Sequence, residues 1–115
     1  MAPGEGAVTE VPEPDRQAMF HGAVQFYQAA ERGDRDGMKR VCTSRLGESL
    51  VDNLDRYQER LMRGMAPTLA SMKKGVQPGQ VRSQDGHFEI ELMFADGTSR
   101  GVMMVVESGQ WLHHL

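Results

Sequence analysis

A single cysteine, Cys42, is too few for an intramolecular disulfide framework, so packing and not cross-linking must hold this chain together. A buried, inert thiol is the expectation at that position. Positive charge is also scarce: 13 lysines and arginines stand against 16 aspartates and glutamates, and no basic block is longer than the pair Lys73 and Lys74. Phosphate-backbone binding therefore has little electrostatic support, and nucleic acid is not an expected partner. No apolar run approaches the roughly 20 residues of a membrane-spanning helix. Met1 to Pro14 also lack the charged and apolar regions of a secretory signal, so the chain reads as soluble.

What remains is enough for one domain. At 115 residues the chain can bury a single core but not two independent ones. Residues 1–13 carry Pro3, Gly4, Gly6 and Pro12 among acidic residues, too little apolar surface to offset the entropy of ordering. They are expected as a flexible lead-in to a domain over residues 14–115.

Pro14 suits the first turn of a helix and Asp15 its positive end, and Gly33 is a natural stop. Between them Met19, Phe20, Ala23, Val24, Phe26, Tyr27 and Ala30 recur at helical spacing. Asp34 can cap a short second helix through Cys42 that presents Met38 and Val41. Thr43 or Ser44 can cap a third, in which Leu46, Leu50, Leu54, Tyr57 and Leu61 step by four, four, three and four residues. Pro67 is expected to open a separate short turn carrying Leu69 and Met72, closed by Gly75.

Beyond Gly75 the period changes to two, broken by Asp85-Gly86, Asp96-Gly97 and Ser108-Gly109. Four strands in a meander follow, near 76–84, 87–95, 98–107 and 110–115. Helices followed by a run of strands predict an α+β fold, with the N-terminal helices packed on a curved four-stranded antiparallel sheet.

If every turn has two residues, mirror pairing assigns each side chain to a face. One face collects Val81, Ser83, Phe88, Ile90, Leu92, Phe94, Met103, Val105, Leu112 and His114, and is expected beneath the helices. The other collects Glu89, Glu91, Met93, Val102, Met104, Val106, Trp111, His113 and Leu115. On it Val102, Met104, Val106 and Trp111 form an apolar patch, suited to a homodimer through the sheet unless the last strand curls and buries Trp111.

The stretch GAVQFYQAAERGDRDGMKRV, Gly22 to Val41, resembles the first two helices of the ketosteroid-isomerase-like, SnoaL-like superfamily, also called the nuclear-transport-factor-like fold. The closing Ser-Gly-Gln-Trp-Leu is similar to that superfamily's terminal hairpin. The resemblance covers about 60 residues at the two ends of the chain and implies a cystatin-like fold rather than an activity. In catalytic relatives a tyrosine of the first helix donates to a developing oxyanion, and Tyr27 stands at the matching position. Those relatives also carry a catalytic carboxylate beyond the second helix, where this chain has Cys42, Thr43, Ser44 and Arg45. The compact form resembles accessory domains of bacterial envelope and lipoprotein-like proteins, which implies an exported protein whose leader has been removed.

A tyrosine without a base can polarise a carbonyl but cannot abstract a proton. Tyr27 reads first as a core residue, His21 as a boundary residue and Asp34 as a cap. His113 and His114 are adjacent on a strand, point to opposite faces and cannot share a metal, and His87 lies two strands away. No metal and no cofactor is expected. Nine methionines suit either an adaptable apolar pocket or ordinary core.

The sequence thus predicts a non-catalytic binding or interaction domain, with a small apolar ligand over Tyr27, Phe88, Ile90, Leu92, Met103 and Leu112. One alternative is a lyase or isomerase with Tyr27 as electrophile and His21 or His114 as base. The other is a dimeric assembly module.

Overall fold

The computed structural model describes residues 7–84 and 87–114. The Asp85-Gly86 turn, Leu115 and the first six residues lie outside the described residues. The order of elements is β1 (Ala7–Val8), α1 (Glu13–Arg32), α2 (Arg35–Arg40), α3 (Ser44–Leu46), a π-helical turn (Gly47–Val51), α4 (Leu54–Lys73), β2 (Val76–Gln84), β3 (His87–Phe94), β4 (Ser99–Glu107) and β5 (Gln110–His113). Strands β2 to β5 form the expected antiparallel meander, and the α+β class follows. Among the described residues no helix is long and apolar enough to cross a membrane.

The expected lead-in is partly built into the fold. Ala7 and Val8 pair antiparallel with Ser83 and Arg82, adding a fifth strand at the β2 edge, and Val11 packs against the core. This strand pairing offsets part of the ordering entropy that composition alone weighs against the segment.

Local chemistry sets the helix ends. Pro14 lies in the first turn of α1, and Gly33 ends it in the left-handed region at φ 68°. The Asp34 carboxylate accepts the Gly37 amide at 2.9 Å and caps α2, and the Thr43 hydroxyl accepts the Leu46 amide at 3.3 Å. The expected third helix and separate Pro67 turn are corrected: the break falls at residues 52–53, and α4 runs through Pro67 to Lys73. Proline removes one helical hydrogen bond, a loss that burial of Met65, Thr68 and Leu69 around it offsets. Asn53 helps close the turn before α4, its amide nitrogen donating to the carbonyls of Glu48 and Ser49.

The largest correction is one of register. The β3–β4 loop holds three residues, 95–97: Phe94 N donates to Thr98 O at 2.9 Å, and Gly97 sits at φ 88°. Asp96 fixes the loop by accepting from the Thr98 amide at 2.9 Å and the Ser71 hydroxyl at 2.8 Å. One extra loop residue shifts the pairing by one and turns every side chain of β4 to the other face relative to β3. Phe88 pairs with Met104, Ile90 with Val102 and Leu92 with Arg100. The β4–β5 turn keeps two residues, with Ser108 at φ 53° and Gly109 at φ 76°, so β5 is carried over with β4.

Val102 and Met104, expected as an exposed dimer patch, are therefore core residues at 2% and 0% exposure. Trp111 is half-buried with its ring edge-on to Phe88, and only Val106 of the expected patch is exposed. Met103, Val105, Leu112 and His114 move to the face opposite Ile90 and Leu92. Helix α1 covers the helix-facing side with Met19, Ala23, Phe26 and Tyr27. It approaches so closely at Gly22 that a Cβ there would lie 3.1 Å from Met104 Cε and 3.3 Å from the Trp111 carbonyl oxygen.

Candidate functional site

The sheet is closed at one corner and open at the next. Beside β5, Thr43 N donates to His113 O at 3.0 Å and His113 N to Val41 O at 2.8 Å, so residues 41–43 cover that edge. But β5 is short. It pairs with β4 only from Met104 to Glu107, with one further bond from His114 N to Met103 O. Among the described residues, Ser99–Val102 in the first half of β4 have no pairing partner on that side.

A groove of about 550 Å³ lies along that uncovered stretch. Its walls come from α1 through Phe26 and Tyr27, from α4 through Tyr57, Leu61, Gly64 and Met65, and from Leu50 of the π turn. Its floor is β4 from Arg100 to Met103, with His113 and His114 at the end of β5. Tyr57 and Leu61 continue the apolar stripe of α4 yet are only half-buried, because among the described residues no side chain fills the space they face. At Gly64 a Cβ would meet nothing within 4 Å, which leaves the helix backbone as part of the wall.

Three polar groups meet at this groove from elements distant in sequence. Arg100 Nε donates to the Tyr27 hydroxyl oxygen at 2.8 Å, fixing the exposed guanidinium beside a tyrosine that is 4% exposed. His113 stacks at 4.3 Å between ring centroids from Phe26 and 6.4 Å from Tyr27. Its Nδ1 is buried with no hydrogen-bond partner among the described residues. Burial first, then the charges of His114 and Arg100, pushes His113 down to about 4, so it is a neutral ring at physiological pH. The Glu89 carboxylate lies across Gly101, and Arg60 of α4 also borders the space.

The candidates from sequence divide. Tyr27 and His114 line the groove, and His114 Nδ1 is 2.9 Å from the Thr43 hydroxyl. His21 is exposed on α1, beside Phe20 and not among the groove residues. Of the expected pocket, Tyr27 and Met103 border the groove, whereas Ile90 and Leu92 at 0% exposure are core filling. Phe88 packs on Trp111, and Leu112 borders a separate hollow near Cys42. Arg100 and His113 escape a sequence reading because a two-residue loop turns both away from the helices. A three-residue loop around Gly97 puts Arg100, Val102 and Met104 beside Leu92, Ile90 and Phe88.

Cys42 is buried, and desolvation pushes its thiol up to about 11 against the opposing pull of Lys39, so it stays protonated and unreactive at neutral pH. Among the described residues no group of three histidine, cysteine, aspartate or glutamate side chains is arranged to hold a metal ion. No protein-family model matches the chain, nor does any curated protein or solved structure.

Proposed function

We propose that this chain is a non-catalytic binding module whose groove between α1, α4 and the uncovered half of β4 accepts a small apolar ligand. The observation that carries the proposal is the unfilled space under a well-formed helix: Tyr57, Leu61 and Met65 face it while Gly64 leaves room. Apolar walls with a few convergent polar groups, at a volume of several hundred cubic ångströms, are the usual make-up of a small-molecule site. On its resemblance to the ketosteroid-isomerase-like superfamily, the module would be a compact, cystatin-like accessory domain of an exported protein.

One observation favours a lyase or isomerase instead: Tyr27 and His114, one of the two bases weighed for it, border the same groove, with His113 beside them at 6.4 Å between ring centroids from Tyr27. Chemistry is the weaker reading because the Tyr27 hydroxyl is engaged by Arg100, His114 Nδ1 by the Thr43 hydroxyl at 2.9 Å, and His113, pushed down to about 4, is a poor base at neutral pH. The test is titration with the neutral fluorophore N-phenyl-1-naphthylamine. Saturable one-to-one enhancement is expected for the native chain and is lost in Gly64→Trp, whose indole fills the groove while circular dichroism confirms the fold. No saturable enhancement, or equal enhancement in the variant, rejects the groove as a binding site.

A further inference from the structure

We propose that the ligand carries a carboxylate head, held by Arg100 at the mouth of the groove, on an apolar body lying along α4. The inference rests on the binding reading above and adds the class of ligand. Arg100 stands on the helix-facing side of β4, paired with Leu92, where a core side chain would otherwise project. Its Nε is committed to the Tyr27 hydroxyl oxygen at 2.8 Å, which orients the guanidinium plane and leaves its terminal nitrogens to donate. Among the described residues Arg100 makes no ion pair, and neither does Arg60 on the facing wall.

The local charge balance points the same way. The chain as a whole carries a net charge of −3, yet the groove is bordered by Arg60 and Arg100 against the single carboxylate of Glu89. A surplus of one positive charge matches a singly charged head better than a doubly charged phosphate. A guanidinium pre-oriented by a tyrosine also suits the planar fork of a carboxylate, where a flexible ammonium would not. His113, neutral and stacked on Phe26, brings no second positive charge to the inner end of the groove, so the charge that meets the head is that of the arginines at its mouth.

The experiment compares decanoate with decanol as competitors of N-phenyl-1-naphthylamine on the native chain, Arg100→Met and Arg100→Lys, at low and high salt. Decanoate is expected to bind the native chain at least tenfold more tightly than decanol. Arg100→Met removes that preference without weakening decanol, and Arg100→Lys restores only part of it. Equal affinity for acid and alcohol on the native chain overturns the carboxylate inference while leaving the groove a binding site. The carboxylate inference also fails if the fluorophore binds but decanoate does not compete, or if Arg100→Met weakens both competitors alike. Failure of the fluorophore itself to bind overturns both proposals together.

Discussion

The two ends of the helix-facing layer are built from similar residues and end in opposite states. Over β2 and β3, Val81, Ile90, Leu92 and Phe94 meet Met19 and Ala23 in a core of 0–7% exposure. Over the first half of β4, Tyr57 and Leu61 are equally apolar but face open space. Composition does not separate the regions. The difference is that, among the described residues, nothing pairs with Ser99–Val102 on the β5 side and position 64 carries no side chain, so apolar surface gathers at the groove without partners to remove it from water. An apolar stripe records which way a helix faces, not whether something fills the far side.

Truncation gives the largest contrast. Leu92→Ala leaves a cavity in rigid surroundings and is expected to cost about 2–5 kcal/mol. Leu61→Ala removes a half-buried side chain from a wall already open and is expected to cost about 1 kcal/mol or less. Urea unfolding of the two variants measures both, and equal losses would erase the distinction between a filled and an open end.

His113 lines the groove with its ring against the core residue Phe26, and acid probes it. The ring takes up a proton at about 4 in the folded chain against 6.5 as the unperturbed value. Between those values the unfolded chain binds more protons, so its contribution is complete above 6.5 and is lost as pH falls toward 4. The loss should reach about 2 kcal/mol by about pH 5, before most carboxylates titrate. His113→Phe keeps a ring against Phe26 and should flatten the slope in that window. An unchanged slope would show that the buried imidazole is not what acid attacks.

These effects trace what was legible in the sequence and what was not. Helix caps at Asp34 and Thr43, the stop at Gly33 and the four-strand meander were readable because each depends on neighbours in the chain. The facing of β4 and β5 was not, since it turns on whether Asp96-Gly97 closes a loop of two residues or three. That choice is decided partly by Ser71, 25 positions away, bonding to Asp96. The pairing of Tyr27 with Arg100, 73 positions apart, was hidden for the same reason: one loop residue decides on which side of the sheet the arginine emerges. Pro67 misled in the opposite direction, because a strong local breaker was overridden by tertiary burial around it.

The smallest effect offers the sharpest separation, because it makes one substitution in two helices. Alanine exceeds glycine in helix propensity by about 1 kcal/mol. At Gly64 the added methyl meets nothing within 4 Å, so Gly64→Ala should stabilise by about that amount, or about 3–5 °C in melting temperature. At Gly22 the same methyl lies 3.3 Å from the Trp111 carbonyl and 3.1 Å from Met104 Cε. The Met104 side chain is itself fully buried and the carbonyl belongs to β5, so neither has free room to yield. Crowding there outweighs the propensity gain, and Gly22→Ala should melt below the native chain. Opposite signs, read by calorimetry, support a packed end and an open end of one layer. A gain at both positions would mean that α1 sits on the sheet more loosely than its contacts require, and a loss at both would mean that α4 has already closed over the groove.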